Sequence, residues 1–147
     1  MGKKVPKQNF KIDSHKAKQT QIVDDFFGKK PSWVFTSIDN TKWTIDKDTF
    51  WNDILPKLRE FETQTWNEIF LAAKKENHSI NVTDLNPVAQ KRLEELYIEA
   101  ESIRSLRFTG KIRLYGYMQG SAFCILWYDT DHGDNNTCVC RSRKKHT

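Results

Sequence analysis

Residues 106–129 read LRFTGKIRLYGYMQGSAFCILWYD, and this stretch decides how the rest of the chain folds. It holds the longest run of two-residue alternation in the sequence, followed by a continuous apolar run. Successive side chains of a strand point to opposite faces. Leu106, Phe108, Ile112, Leu114 and Met118 therefore share one face, and Arg107, Thr109, Lys111, Arg113, Tyr115 and Tyr117 share the other. The first face reads as core. The second carries three cations and two phenols, which suits a polyanion better than plain solvent. Gln119-Gly120 has the length of a two-residue hairpin loop. That turn pairs Tyr117 with Ala122, Tyr115 with Cys124, Arg113 with Leu126 and Lys111 with Tyr128, so the cationic face becomes a half-covered groove.

Upstream, residues 33–38 (WVFTSI) and 42–45 (KWTI) are aromatic and β-branched around the turn Asp39-Asn40-Thr41, which predicts an N-terminal β-hairpin. A helix follows from Asp46 or Asp48, with Phe50, Ile54, Leu58 and Phe61 on one face. Pro56 lies inside it and predicts a kink or two abutting helices. Thr65-Trp66-Asn67-Glu68 is a capping box that opens a second helix carrying Ile69, Phe70 and Ala73. Residues 78–82 look extended, and Asn86-Pro87 starts a third helix with a stripe of Leu93, Leu96, Tyr97 and Ala100. Past the organising stretch, residues 129–136 form a polar loop and residues 137–141 (TCVCR) a third strand. The expected class is α+β: helices packed on a small antiparallel sheet, with an N-terminal hairpin and a C-terminal β-hairpin plus third strand.

A chain of 147 residues supports one domain with a real core. Its mean hydropathy of -0.73 and 29% charged residues are those of a soluble protein, and no apolar run approaches membrane-spanning length. The start, MGKKVPKQNFK, is charged but lacks the apolar segment of a secretory signal, and Pro6 stands where a myristoylation motif wants Ser or Thr. The expected location is the cytoplasm, with no membrane partner. Cys124, Cys138 and Cys140 are an odd set, expected as free thiols in a reducing compartment. Residues 1–30 hold eight Lys against three Asp, while residues 31–147 hold 16 basic and 16 acidic residues. Residues 1–20 read as a disordered basic arm, either a solubilising tail or a non-specific nucleic-acid contact, and residues 21–147 as a single domain. Within that body, cations cluster at residues 104–113 and 141–145, which suggests directed binding of an anion.

Three constellations could carry chemistry. Arg107, Lys111 and Arg113 can neutralise phosphates, Arg104, Arg141 and Arg143 add cations nearby, and Tyr115 and Tyr117 can stack unpaired bases. A solvated outer sheet face would show the same pattern. His132 and His146 titrate near neutrality and can serve as general base or acid, although a lone histidine is more often a surface polar residue. His15 and His78 stand out less. His132, Cys138, Cys140 and His146 spell H-x5-C-x-C-x5-H, but C-x-C is a weaker zinc signal than C-x2-C, and no metal or other cofactor is expected. Asp129, Asp131 and Asp134 read as solvated turn formers.

The C-terminal stretch carries a resemblance. Its G-x-x-R-L-x-G core (Gly110 to Gly116) and F-x-I-L-W-Y-D-x-x-H run (Phe123 to His132) look like the ending of a group of small bacterial and phage proteins. The element order resembles the RelE/YoeB-type toxins, which are ribosome-associated or free endoribonucleases that promote attack of a ribose 2′-OH on its own phosphate. That resemblance implies Arg107, Lys111 and Arg113 as phosphate and transition-state stabilisers, Tyr115 as a base-stacking ring, and His132 or His146 as acid/base. It further implies RNA, on or off the ribosome, and an antitoxin protein as partners. The expected function is a metal-independent, mRNA interferase-like endoribonuclease. The competing expectations are a non-catalytic nucleic-acid- or protein-binding module, including a phage or mobile-element accessory protein, and a small structural protein with an aromatic oligomer interface.

Overall fold

The computed structural model describes residues 26–73, 75–133 and 137–141. The expected basic arm over residues 1–20 lies outside them, as do Arg143 and His146. In chain order the elements are strand β1 (Ser32–Val34), a helical run α1 (47–61), a helical turn α2 (Asn67–Ala72), strand β2 (His78–Asn81), helix α3 (Pro87–Glu95), and three long strands, β3 (Ser102–Thr109), β4 (Ile112–Gln119) and β5 (Ala122–Asp129). They form one five-stranded sheet in the order β1-β5-β4-β3-β2. The class is α+β. The sheet is mixed rather than wholly antiparallel, because β1 runs parallel to β5. Among the described residues no helix is long and apolar enough to cross a membrane.

The expected pair of strands over residues 106–129 is corrected to three strands of a meander, because the alternating run breaks into a turn at Gly110-Lys111. Gly110 and Gly120 take φ +49° and +60°, a left-handed conformation that glycine reaches without steric cost. The β3–β4 turn is two residues long and pairs Thr109 with Ile112, which by itself would exchange the two faces; the register shift between Arg107 and Thr109 restores the side-chain parity. Leu106 and Phe108 of β3 and Ile112, Leu114 and Met118 of β4 therefore all pack into one core cluster. The β4–β5 register is corrected. Gln119 stays in the strand opposite Ala122, which puts Tyr117 opposite Cys124, Tyr115 opposite Trp127 and Arg113 opposite Asp129. Gly120, not Gln119, opens the turn, and a bulge at Tyr115/Gly116 advances β5 further.

The N-terminal hairpin is also corrected. Only β1 forms; the following residues satisfy their backbone on the edge of β5 instead of on each other. Asp39 N–H donates to Leu126 O (3.1 Å), Tyr128 N–H donates to Trp43 O (2.9 Å), and Ser37 Oγ donates to Ile125 O (2.9 Å). Trp43 sits at φ +45°, which a regular strand does not allow. The expected third strand at residues 137–141 reduces to one bridge, Leu85 to Cys140. Its Val139 N–H is taken by the Asp129 carboxylate (2.8 Å).

α1 starts on an Asp46 cap, whose side chain accepts from Thr49 N–H (2.8 Å). It runs as Lys47–Thr49, widens to a π-helical segment over Phe50–Ile54, and continues as α-helix over Leu55–Phe61. Leu55 N–H reaches back to Phe50 O, five residues. Pro56 follows at once; it has no N–H to donate and its ring needs room, so the wide turn takes the place of the expected kink. The capping box forms as read: Thr65 N–H donates to Glu68 Oε1 (2.9 Å) and Glu68 N–H to Thr65 Oγ1 (3.3 Å).

α1 and α2 cover one face of the sheet with Ile54, Leu58, Phe61, Trp66, Ile69 and Phe70. α3 covers part of the other, where Leu85, Ala89 and Leu93 pack on Tyr115, Leu126, Trp127 and Val139. Asp39 fastens this second layer. Its buried carboxylate accepts from Arg92 Nε (2.8 Å) and Nη2 (2.9 Å), from Trp127 Nε1 (2.9 Å) and from Thr41 N–H (2.9 Å). Burial opposes its ionisation, but those donors outweigh burial and hold its carboxyl well below the usual carboxylate range.

Two outcomes follow from this packing. Asp39→Ala strands the buried Trp127 N–H and lowers stability by about 1–3 kcal/mol, measurable by urea unfolding. Because the folded-state carboxyl titrates below its ordinary 3.8, the wild-type advantage is complete above that value and shrinks as pH falls through the lowered one, so the two stabilities converge in acid. Gly116→Ala pushes a Cβ into the Cys124 carbonyl and to 2.6 Å from the Phe123 ring; overpacking of that kind costs about 1–3 kcal/mol, and an unchanged denaturation midpoint would contradict it.

Candidate functional site

The sheet register assembles a site that no single segment contains. His78 on β2 lies opposite Ser105 on β3, which lies opposite Tyr115 on β4, which lies opposite Trp127 on β5. The next row toward the β3–β4 turn is Arg107, Arg113 and Asp129. α3 and Trp43 cover the Trp127 end. The other end opens into a cleft of about 640 Å³, lined among others by His78, Asp84, His132, Cys140 and Arg141.

Asp129 holds the walls together. Its carboxylate, 1% exposed, accepts from Asp131 N–H (2.8 Å) on the His132 loop and from Val139 N–H (2.8 Å) on the C-terminal segment. Burial pushes its carboxyl above the ordinary value, and the two N–H donors pull against that. His132 N–H donates to Lys111 O (3.1 Å), and Gly133 N–H to Cys140 Sγ (3.2 Å). The His132 loop is thus anchored to the β3–β4 turn on one side and to the chain end on the other.

Electrostatics set the state of His78 and of the phenol beside His132. Burial, and then the charge of Arg113, push the half-buried His78 below its ordinary value, so it is neutral near pH 7. His132 Nδ1 lies 3.2 Å from the Tyr115 hydroxyl. Burial, with Cys140 and Asp129 nearby, pushes that phenol far above its ordinary value, so it meets His132 as an intact O–H. Arg113 is partly buried and turned to its own turn, donating through Nη1 to Gly110 O (2.6 Å) and Ile112 O (3.2 Å). Arg107 stands directly across from it and reaches Glu76 at 3.8 Å. Arg141 is exposed on the cleft wall, with Nη2 on Thr83 O (2.9 Å). A proton acceptor, a second imidazole and a cationic wall in one cleft can move protons on a bound anion.

Of the residues singled out from sequence, Arg107, Arg113, His132 and Arg141 gather at this corner, and Lys111 lies in the adjoining turn. Three others are placed differently. Tyr115 is fully buried beneath the second layer and presents no ring to a base. Tyr117 packs against the same covered cluster. Arg104 lies on the opposite face, with its guanidinium 4.4 Å from the Phe70 ring centre and 5.5 Å from that of Phe26. Strand parity separates Arg104 from Arg107, and the second layer, far off in sequence, buries Tyr115 and partly covers Tyr117. His78 was missed, because a histidine at the head of a short polar strand gives no local sign of its neighbours. Among the described residues no group of three or more His, Cys, Asp or Glu side chains is gathered to hold a metal.

The chain matches no protein-family model, no curated protein and no solved structure.

Arg113→Met removes the cation that disfavours the protonated imidazole of His78. The His78 resonance then titrates at higher pH than in the wild type, yet still below 6.5 because burial is the larger cause. Titration by NMR checks this, and an unmoved His78 would place the Arg113 charge elsewhere.

Proposed function

We infer that the protein is an endoribonuclease that cleaves single-stranded RNA by internal attack of a ribose 2′-hydroxyl. What carries this is the meeting of His78 and His132 in one cleft with Arg141 on its wall and the Arg107–Arg113 row beside it. His78, neutral at pH 7, takes the proton from the 2′-hydroxyl. The O2′–P bond forms and the P–O5′ bond breaks, and His132 in its protonated form gives a proton to the departing 5′-oxygen. Arg141 binds the phosphate oxygens, and the Arg107–Arg113 charge favours the extra negative charge of the transition state. Tyr115 acts through His132, holding its ring by the Nδ1 contact. The products are a 2′,3′-cyclic phosphate and a 5′-hydroxyl. The resemblance of the C-terminal third to RelE/YoeB-type toxins points the same way and supplies the expectation of an antitoxin that masks the cleft.

Purified protein incubated with labelled RNA tests this. Cleavage is expected to leave 2′,3′-cyclic ends and to vanish when the target ribose is 2′-deoxy. His78→Ala and His132→Ala are each expected to slow it by about 10²–10⁴-fold, the usual contribution of general acid–base catalysis. Since His78 must be deprotonated, activity falls as pH drops through its lowered value and not at 6.5. RNA that is bound but left intact, with both histidine variants binding equally well, would make the protein a binding module instead.

A further inference from the structure

Cys138 and Cys140 take no part in the chemistry above, yet their sulfurs lie 2.9 Å apart. Cys138 Sγ also sits 2.9 Å from the Cys140 carbonyl oxygen. Cys138 is fully buried, whereas Cys140 is part-exposed and lines the cleft. The third thiol, Cys124, is buried in β5. A disulfide needs its sulfurs about 2.05 Å apart, so the pair has under an ångström to travel. The segment that holds them is irregular: among the described residues its one β-bridge is Leu85 to Cys140, and between the two cysteines Val139 is held by the Asn86 N–H and the Asp129 carboxylate, so the sulfurs can adjust without breaking a strand ladder.

The geometry is also directional. An oxidant can reach Cys140 from the cleft but cannot reach Cys138. Cys140 Sγ accepts the Gly133 N–H, and Gly133 follows His132 in the chain. Any change at that sulfur is therefore transmitted to the loop that carries the imidazole.

We propose that Cys138 and Cys140 form a reversible thiol–disulfide site, oxidised by small-molecule disulfides that enter through the cleft, and that its state sets the position of His132. The Cys140 thiol loses its proton and attacks a glutathione disulfide sulfur. An S–S bond to Cys140 forms, and one glutathione leaves as thiolate. Cys138 then loses its proton and attacks Cys140 Sγ, forming the Cys138–Cys140 bond and releasing the second glutathione. Two electrons and two protons pass from the protein to one glutathione disulfide, giving two glutathione thiols. Thiolate is the attacking form, and burial raises the Cys140 thiol above its ordinary value, so the first step accelerates as pH rises. In the oxidised form the sulfur that receives the Gly133 N–H is drawn to Cys138, the Cys138 S–H donor is lost, and the His132–Tyr115 contact loosens. A disulfide closing so short a loop is strained, and strained disulfides are readily reduced. The chemistry stands whether or not the cleft cleaves RNA; only its effect on cleavage rests on that function.

The test equilibrates the folded full chain in glutathione buffers of graded ratio, traps thiols with iodoacetamide and maps them by mass spectrometry. Oxidation is expected to remove two mass units, to protect Cys138 and Cys140 together and to leave Cys124 as a thiol. Dithiothreitol is expected to reverse it. The His132 imidazole resonances are expected to shift on oxidation in the wild type and to show no response to glutathione disulfide in Cys140→Ser, which can form neither the adduct nor the disulfide, whereas Cys138→Ser should stop at a glutathione adduct on Cys140. The idea is overturned if the native chain gains no disulfide, if Cys124 is a partner, or if the disulfide forms with His132 unmoved. RNA cleavage measured in parallel separates the two proposals. A disulfide that shifts His132 in a chain without nuclease activity keeps the thiol site and removes the nuclease.

Discussion

Asp39 accepts hydrogen bonds from a backbone N–H two residues on, from the guanidinium of α3 and from the indole of a β5 tryptophan. An ionised carboxylate buried at 2% exposure is costly unless its lone pairs are used, and here all four donors come from parts of the chain that must already be in place. The constraint therefore runs outward. It fixes the segment after β1 along the edge of β5, and it orients α3 so that Ala89 and Leu93 descend on Tyr115 and Trp127. It also determines where the second layer stops. Because α3 is clamped over the Trp127 end of the cross-strand row, the His78 end stays uncovered, and the cleft is what remains.

A second buried carboxylate repeats the device at smaller scale. Asp129 joins the His132 loop to the C-terminal segment through two backbone N–H groups. Both carboxylates lie on or against β5, and both accept from irregular backbone, Asp39 from Thr41 N–H beside its side-chain donors and Asp129 from the Asp131 and Val139 N–H groups. Irregular segments have no ladder to satisfy their N–H groups, so side-chain acceptors take that place. The result is a site built largely from loops but referenced to a rigid strand. Residues on loops positioned by a rigid scaffold are where function tends to collect.

The charge pattern around residues 104–113 marks this corner of the sheet but does not tell which of its side chains face the cleft. Arg107 and Arg113 do stand side by side, because the register shift between Arg107 and Thr109 offsets the two-residue turn and brings them onto one face. Arg104 differs by three positions from Arg107, and an odd step reverses the face, so it ends against Phe70 instead. The tyrosines shared the cationic face by the same parity. Their burial depends on a helix whose own sequence says only that it is amphipathic. His78 joined the site through pairing with Ser105, which no local pattern encodes.

Local chemistry was legible wherever partners lie within a few residues. Alternation, the turn at Gly120, the Thr65–Glu68 capping box, the Asn86-Pro87 start and the disturbance at Pro56 all follow from the sequence, because each is decided by the preferences of its own backbone. Tertiary structure alone decided the rest. Whether residues 33–45 pair with each other or with β5 depends on which edge is open, and the register of β5 depends on a bulge at Tyr115/Gly116 where Gly116 lets Phe123 come close. The meeting of His78, His132, Cys140 and Arg141 depends on strand order. Residues 106–129 thus determined by themselves that paired strands would form with one apolar and one cationic face, and the structure divided them into three strands instead of two. Only the folded chain decided how much of that cationic face would stay open, because burial is set by what packs from a distance and not by the strand itself.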